Sequence, residues 1–232
     1  MSTFFQQLKW QFLLLHKNNI INISFAVTLI YGILLFFLRD INGLDKLLVS
    51  LVLNDPSVIG YFFISLAIYT EIKDQVLPAI FVSPVNIHHF LISKTIAISF
   101  IGLICSIGLA LSVKGMGFDI IAYSVGSLGV CLLSALLGVF MLTFASEFLK
   151  FAILSIPLFL AFVNISLLQY LGAIEMGVIK YLFPIQGSLD LIDYAISGTR
   201  INFWYSYVSI LVMVPLFYWM AYRQFTNKIV HQ

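Results

Sequence analysis

Charge is what this sequence has least of. Only 9% of its 232 residues are Asp, Glu, Lys or Arg, against roughly 25% in soluble domains, and that scarcity excludes a water-solvated globule. The net charge of +2, with twelve Lys and Arg scattered at the ends of apolar runs, leaves no basic patch and excludes nucleic acid as a partner. The two cysteines, Cys105 and Cys131, each fall in the middle of an apolar run. They read as small buried hydrophobes rather than a disulfide or a metal pair. No G-x-x-x-x-G-K-[ST] phosphate loop occurs, so the chain does not bind and split ATP in the usual way. There is no H-E-x-x-H, no G-x-S-x-G and no carboxylate pair at helical spacing inside an apolar run, so no catalytic residue and no metal site is assigned. His88 and His89 are adjacent and would point about 100° apart on a helix, a poor metal pair; His16 and His231 are isolated near the ends of the chain. No expected span holds a mid-membrane Asp, Glu, Lys or Arg, which removes the simplest basis for a proton or ion relay.

What is present is hydrocarbon-compatible sequence. Hydrophobic residues make up 61% of the chain and the mean hydropathy is +1.05. A helix needs about 20 mostly apolar residues to cross a bilayer, and six segments reach that length: 20–38, 47–69, 95–113, 120–145, 151–171 and 203–222. The second is interrupted by Asn54, Asp55 and Pro56, so the span is expected to begin near Ser57 or to tilt. The first span is too long and too poorly flanked for a cleaved signal peptide. The fold class is therefore an all-α integral membrane protein with six transmembrane helices and a single transmembrane domain.

Lys and Arg set the expected orientation. With the N-terminus inside, Lys9, Lys17, Lys73, Lys94, Lys150, Arg223 and Lys228 are cytoplasmic, and Arg39, Lys46, Lys114, Lys180 and Arg200 are outside. Both termini are thus expected in the cytoplasm, and 71–94 faces it. Before the first span, Phe5, Leu8, Phe12 and Leu15 recur at helical spacing among Gln6, Gln7, Lys9 and Gln11, with Trp10 suited to the headgroup region. Residues 1–17 read as an interfacial helix, or else as a plain extension of the first span.

The stretch EIKDQVLPAIFVSPVNIHHFLISK, 71–94, is too long and too patterned for a simple loop. Val76, Leu77, Ile80 and Phe81 share one helical face, and Ser83-Pro84 suits an N-cap followed by the first helical position. A short helix leaving the second span and another running into the third make either a docking surface or a solvated hairpin packed on its own protein. Glu71-Ile-Lys-Asp-Gln-Val-Leu77, Phe-Val-Ser-Pro84-Val and Leu91-Ile-Ser-Lys94, in this order, resemble the segment between spans two and three of ABC-2 type transporter permeases. Asn54-Asp55-Pro56 at the start of the second span, Tyr181-Leu-Phe-Pro184 before the last, the six spans and the N-terminal helix extend the resemblance over the whole chain. Gln75-Val76 stands where the family usually has Gly-Thr, and Pro78 at the next acidic position. The resemblance implies that 71–94 is a coupling helix touching an ATPase, with Glu71 ending the second span, Val76, Leu77, Ile80 and Phe81 as the docking face and Pro84 at the bend.

Between spans five and six, 175–200 is broken by Pro184 and Gly187 yet rich in apolar residues. Ser188 is expected to cap a short helix with Asp190 in its first turn and Gly198 at its end. A re-entrant pair of short helices or an amphipathic loop lying flat fits this pattern, and the resemblance implies the former. In span five, Ser155, Phe162, Ser166 and Gln169 lie near one stripe, read as helix packing or as substrate-pathway lining. Span four carries Ser127, Cys131 and Ala135 at intervals of four, with Ser134 and Gly138, a face that permits close helix approach. The implied function is that of a non-enzymatic permease subunit of an ATP-binding cassette exporter in the cell membrane. Its partners would be a separate ATPase subunit, which binds the ATP, a second permease copy and the lipid bilayer; the chain itself carries no cofactor. A membrane scaffold that recruits another partner, and a secondary carrier, are the alternatives.

Overall fold

In the computed structural model, residues 2–38, 43–77, 86–145 and 147–230 are described. Helices follow one another almost without interruption: α1 Ser2–Lys17, α2 Ile20–Phe37, α3 Leu44–Val58, α4 Ile64–Lys73, α5 Ile87–Lys114, α6 Ile120–Leu142, α7 Phe148–Tyr170, α8 Gln186–Ser197 and α9 Phe203–Phe225. No strand occurs among the described residues. Six stretches are long and apolar enough to cross a membrane: α2, the run Leu44–Lys73, α5, α6, α7 and Phe203–Ile229. The chain is a multi-pass membrane protein with an all-helical fold.

Polar residues just ahead of the apolar runs start these helices. Asn86 Oδ1 accepts the His88 N–H at 2.9 Å, Asp119 Oδ1 accepts those of Ile121 and Ala122 at 3.0 and 3.1 Å, and Asn202 Oδ1 accepts that of Tyr205 at 3.2 Å. Each satisfies amide donors that the first turn leaves without a helical partner. The α1–α2 boundary is a true break, since Asn19 sits at φ +58, a left-handed conformation that Asn tolerates better than most residues. α1 is therefore a separate helix, laid against α5 and α2, rather than an extension of the first span.

α6 is the central column and packs against α3, α5, α8 and α9. Its small-residue face is fully used, with Ser127, Cys131, Ser134 and Ala135 all buried. The crossing with the second span is close enough that a Cβ on Gly60 would fall 2.5 Å from the Cys131 carbonyl oxygen. α7 is held to the second span by rings: Tyr61 lies 5.8 Å from Phe151 and 5.0 Å from Phe159, and Phe62 lies 5.4 Å from Phe159. Ion pairs join spans two and three at both ends, which fixes them as antiparallel neighbours: Lys114 Nζ lies 2.7 Å from Asp45 Oδ1, and Lys94 Nζ lies 2.6 Å from Glu71 Oε2.

The second span departs from the sequence expectation. Asn54-Asp55-Pro56 does not interrupt it; helix runs unbroken through Leu44–Lys73 and re-registers in one π turn, Ile59–Phe63. Pro56 cannot donate to the Val52 carbonyl, but an apolar environment makes leaving the helix costlier than carrying the defect. Asn54 Nδ2 donates to the Ser50 carbonyl and Ser57 Oγ to that of Leu53, supporting the backbone around it. The third span also begins earlier than expected, so that Lys94 lies seven residues inside α5 rather than at its mouth.

In the segment before the last span, Gly177–Leu182 forms a short 3-10 helix and α8 follows. Ser188 does not cap α8 and Asp190 is not in its first turn; the helix begins at Gln186, directly after Ile185, with no side-chain cap. Gly198 does end it, at φ +69, donating its N–H to the Tyr194 carbonyl at 2.9 Å. α8 is buried along most of its length between α6, α9 and α3.

Candidate functional site

The described residues of highest chemical content at one end of the bundle gather where the second span ends and the third begins. Glu71 is two residues from the end of helical structure in its span, and Lys94 is two turns into α5. Their side chains are 5% and 1% exposed and in contact at 2.6 Å. Lys94 Nζ also lies 5.1 Å from the centre of the Phe90 ring. Burying two charges costs several kcal/mol per ion unless they meet each other, so each residue is tolerated here only because of the other. The pair forms a strut that joins the end of the second span to the third.

Above the strut the chain turns sharply. Asp74 ends α4, and Gln75 sits at φ +60, a left-handed conformation in which a side chain is strained and glycine is not. Helical backbone resumes at Val76 and Leu77; Leu77 is 1% exposed and Val76 half-buried. Ile80, Phe81 and Pro84, the rest of the expected docking face and bend, lie outside the described residues, as does the expected Ser83 cap. The described cap of the third span is Asn86. His88 follows it and is not merely solvated: its ring stacks on Tyr222 with centroids 3.8 Å apart, and Nδ1 is 2.8 Å from the Tyr218 hydroxyl. The start of the third span is thereby fastened to the end of the last.

No protein-family model matches this chain, and no curated protein matches it. The reading of the site accordingly rests on its geometry and on the sequence.

Of the expected pathway residues on α7, Ser155 and Ser166 are buried, Gln169 is half-buried, and Phe162 meets Phe217 of α9 with centroids 5.8 Å apart. None of the four lines the open apolar groove that α7 makes with α6, which is walled by Phe140, Met141, Phe144, Leu154, Pro157 and Leu158. Two features were missed in the sequence. Lys94 was placed at the mouth of the third span, although its spacing from Ile87 gave it depth once the helix start moved back. Asp55, ahead of the expected start of the second span near Ser57, lies inside that span, 8% exposed and about 16 Å from the start of α3 at 1.5 Å per residue. No group of three His, Cys, Asp or Glu side chains able to hold a metal occurs among the described residues.

Proposed function

We propose that this protein is the membrane subunit of an ATP-driven exporter, with 71–94 serving as the coupling segment on which a separate ATPase docks. The observation that carries the reading is the Glu71–Lys94 strut. A segment that transmits force needs a stiff mounting, and a buried 2.6 Å ion pair at its base makes spans two and three move with it. Gln75 supports the same reading. Its left-handed turn occupies the place where the ABC-2 permeases that this sequence resembles usually carry glycine, the residue such a turn favours. On this reading Glu71 anchors the segment, Val76, Leu77, Ile80 and Phe81 present the docking face, and Pro84 sets the bend.

The remaining elements fall into place around it. α1, with exposed Phe5, Trp10 and Leu13, lies along the cytoplasmic leaflet. The 3-10 helix and α8 form a re-entrant pair that closes the pathway on the outside. Two copies, or one copy and a related permease, build the pathway, with Ser155, Phe162, Ser166 and Gln169 of α7 as its candidate lining. Both termini face the cytoplasm of a cell whose plasma or inner membrane holds the complex, and the partner subunit binds the ATP.

The test is expression with its genomic neighbours, purification in detergent and ATP hydrolysis in lipid nanodiscs. Retention of an ATPase whose rate falls in Glu71→Lys or on inserting Pro beside Ile80, with membrane insertion intact, is the expected result. A monodisperse protein that retains no ATPase refutes it and leaves the scaffold reading.

A further inference from the structure

Asp55 has no role in the coupling segment and sits where a carboxyl is costly. It is 8% exposed, and no ion pair reaches it among the described residues. Its Oδ2 has no hydrogen-bond partner. An acidic side chain inside a spanning helix is rare, and its partner is the first thing to look for.

Among the described residues the lysines of the neighbouring α5 are already committed, Lys114 to Asp45 and Lys94 to Glu71. Cys105 on α5 and Cys131 and Tyr123 on α6 are titratable groups that feel the Asp55 charge, and none of them is cationic. The Tyr123 hydroxyl donates to the Ser106 carbonyl and is not free for the carboxyl. On the other elements packed against α3, Tyr61 of the π turn stacks among Phe151 and Phe159, and Tyr170 of α7 donates to Asp193 of α8 at 2.9 Å. Asp193 also accepts from Thr199, and Asp190 accepts from Gln186 at 2.8 Å. Among the described residues no group of three ligands could hold a metal ion there, which leaves the smallest positive partner, one that needs neither cavity nor coordination shell.

The second observation is the backbone beside it. Pro56 follows Asp55 directly, and the π turn Ile59–Phe63 begins three residues later, so the span is weakest in hydrogen bonding just where the carboxyl sits. We propose that Asp55 is a proton-binding site that controls opening of the second span at its π turn. With the proton on one carboxyl oxygen, the neutral side chain packs dry among α3, α5 and α6. When the proton leaves to water, the carboxylate draws water in and the helix opens at the π turn; reprotonation from water closes it. The step exchanges one O–H bond for one hydrated proton and needs no other reactant.

Hydrogen exchange of the intact protein in nanodiscs tests this. Between mildly acidic and mildly alkaline buffer, the protection factors of amides in 52–66 should fall by about a hundredfold, the equivalent of the ~3 kcal/mol that an Asp charge costs at the centre of a spanning helix. In Asp55→Asn they should stay flat and high. Wild-type protection that does not change with pH overturns the proposal, as does an Asp55→Asn protein that loses protection as the wild type does. An infrared measurement does not depend on that variant. In an Asp190→Asn background, the C=O band of a protonated carboxyl, shifted in D2O, must fade over the same pH range; a band that is absent or constant refutes the site.

Discussion

Breaking the Glu71–Lys94 strut one partner at a time should cost far more than removing it whole. With side chains 5% and 1% exposed and 2.6 Å apart, neither charge has water to fall back on. A lone buried charge can escape by neutralising, and that sets a ceiling on the penalty. From ordinary side-chain values, discharging a Glu at pH 7 costs about 3.7 kcal/mol and discharging a Lys about 4.6 kcal/mol. Lys94→Met, which strands the carboxyl, should therefore lower stability by up to about 4 kcal/mol, and Glu71→Leu, which strands the ammonium, by up to about 5 kcal/mol. The double variant Glu71→Leu/Lys94→Met leaves no charge and two apolar chains of similar reach, and should lie within about 1 kcal/mol of the wild type. The structure supplies the assay. Cys105 and Cys131 are both free and fully buried, so a thiol-reactive dye reports unfolding of α5 and α6 against temperature or denaturant. A double-mutant cycle built on those curves should give a coupling of several kcal/mol. Single variants that each cost under about 1 kcal/mol, or a double variant whose cost equals the sum of the singles, would refute the reasoning.

Other substitutions probe separate parts of the argument. Gly60→Val should destabilise by about 1–3 kcal/mol in the same dye assay, because its Cβ would be driven into the Cys131 carbonyl and α6 would have to move; a neutral Gly60→Val would mean the crossing is looser than 2.5 Å implies. Gln75→Gly should raise stability by up to ~1 kcal/mol, since relief of the left-handed strain exceeds the added chain entropy, and a loss would show that the Gln75 side chain makes a contact worth more than the strain. Burial, reinforced by the negative charge of Asp193, raises the Asp190 carboxyl above its ordinary value, outweighing the hydrogen bond from Gln186 and the Lys180 charge. Its stabilising contribution is thus full below the ordinary carboxylate range and is lost as pH rises through the raised value. Asp190→Asn should remove that part of the pH dependence of unfolding, measured by denaturant midpoint against pH.

The membrane class and the six spans were fixed by composition and run length, because a bilayer demands about 20 apolar residues per crossing whatever the neighbours do. The small-residue face of α6, the cap residue Gly198 and the helical pattern of the N-terminal residues were also legible, since each depends on spacing or on one residue's backbone preference. Tertiary structure alone decided how polar residues near span ends are disposed. Pro56 and the residues before it read as an interruption because propensity penalises them, yet the burial of Asp55, Pro56 and Ser57 and side-chain hydrogen bonds keep the helix going through them. Lys94 and Glu71 each looked like a loop boundary, and only the antiparallel packing of two spans turned two costly charges into one buried pair. His88 and Tyr222 are far apart in the chain, and their stacking depends on where the last helix ends beside the third. Hydropathy along the chain determines which segments enter lipid; which charges follow them in is settled by whether the folded bundle brings each one a partner.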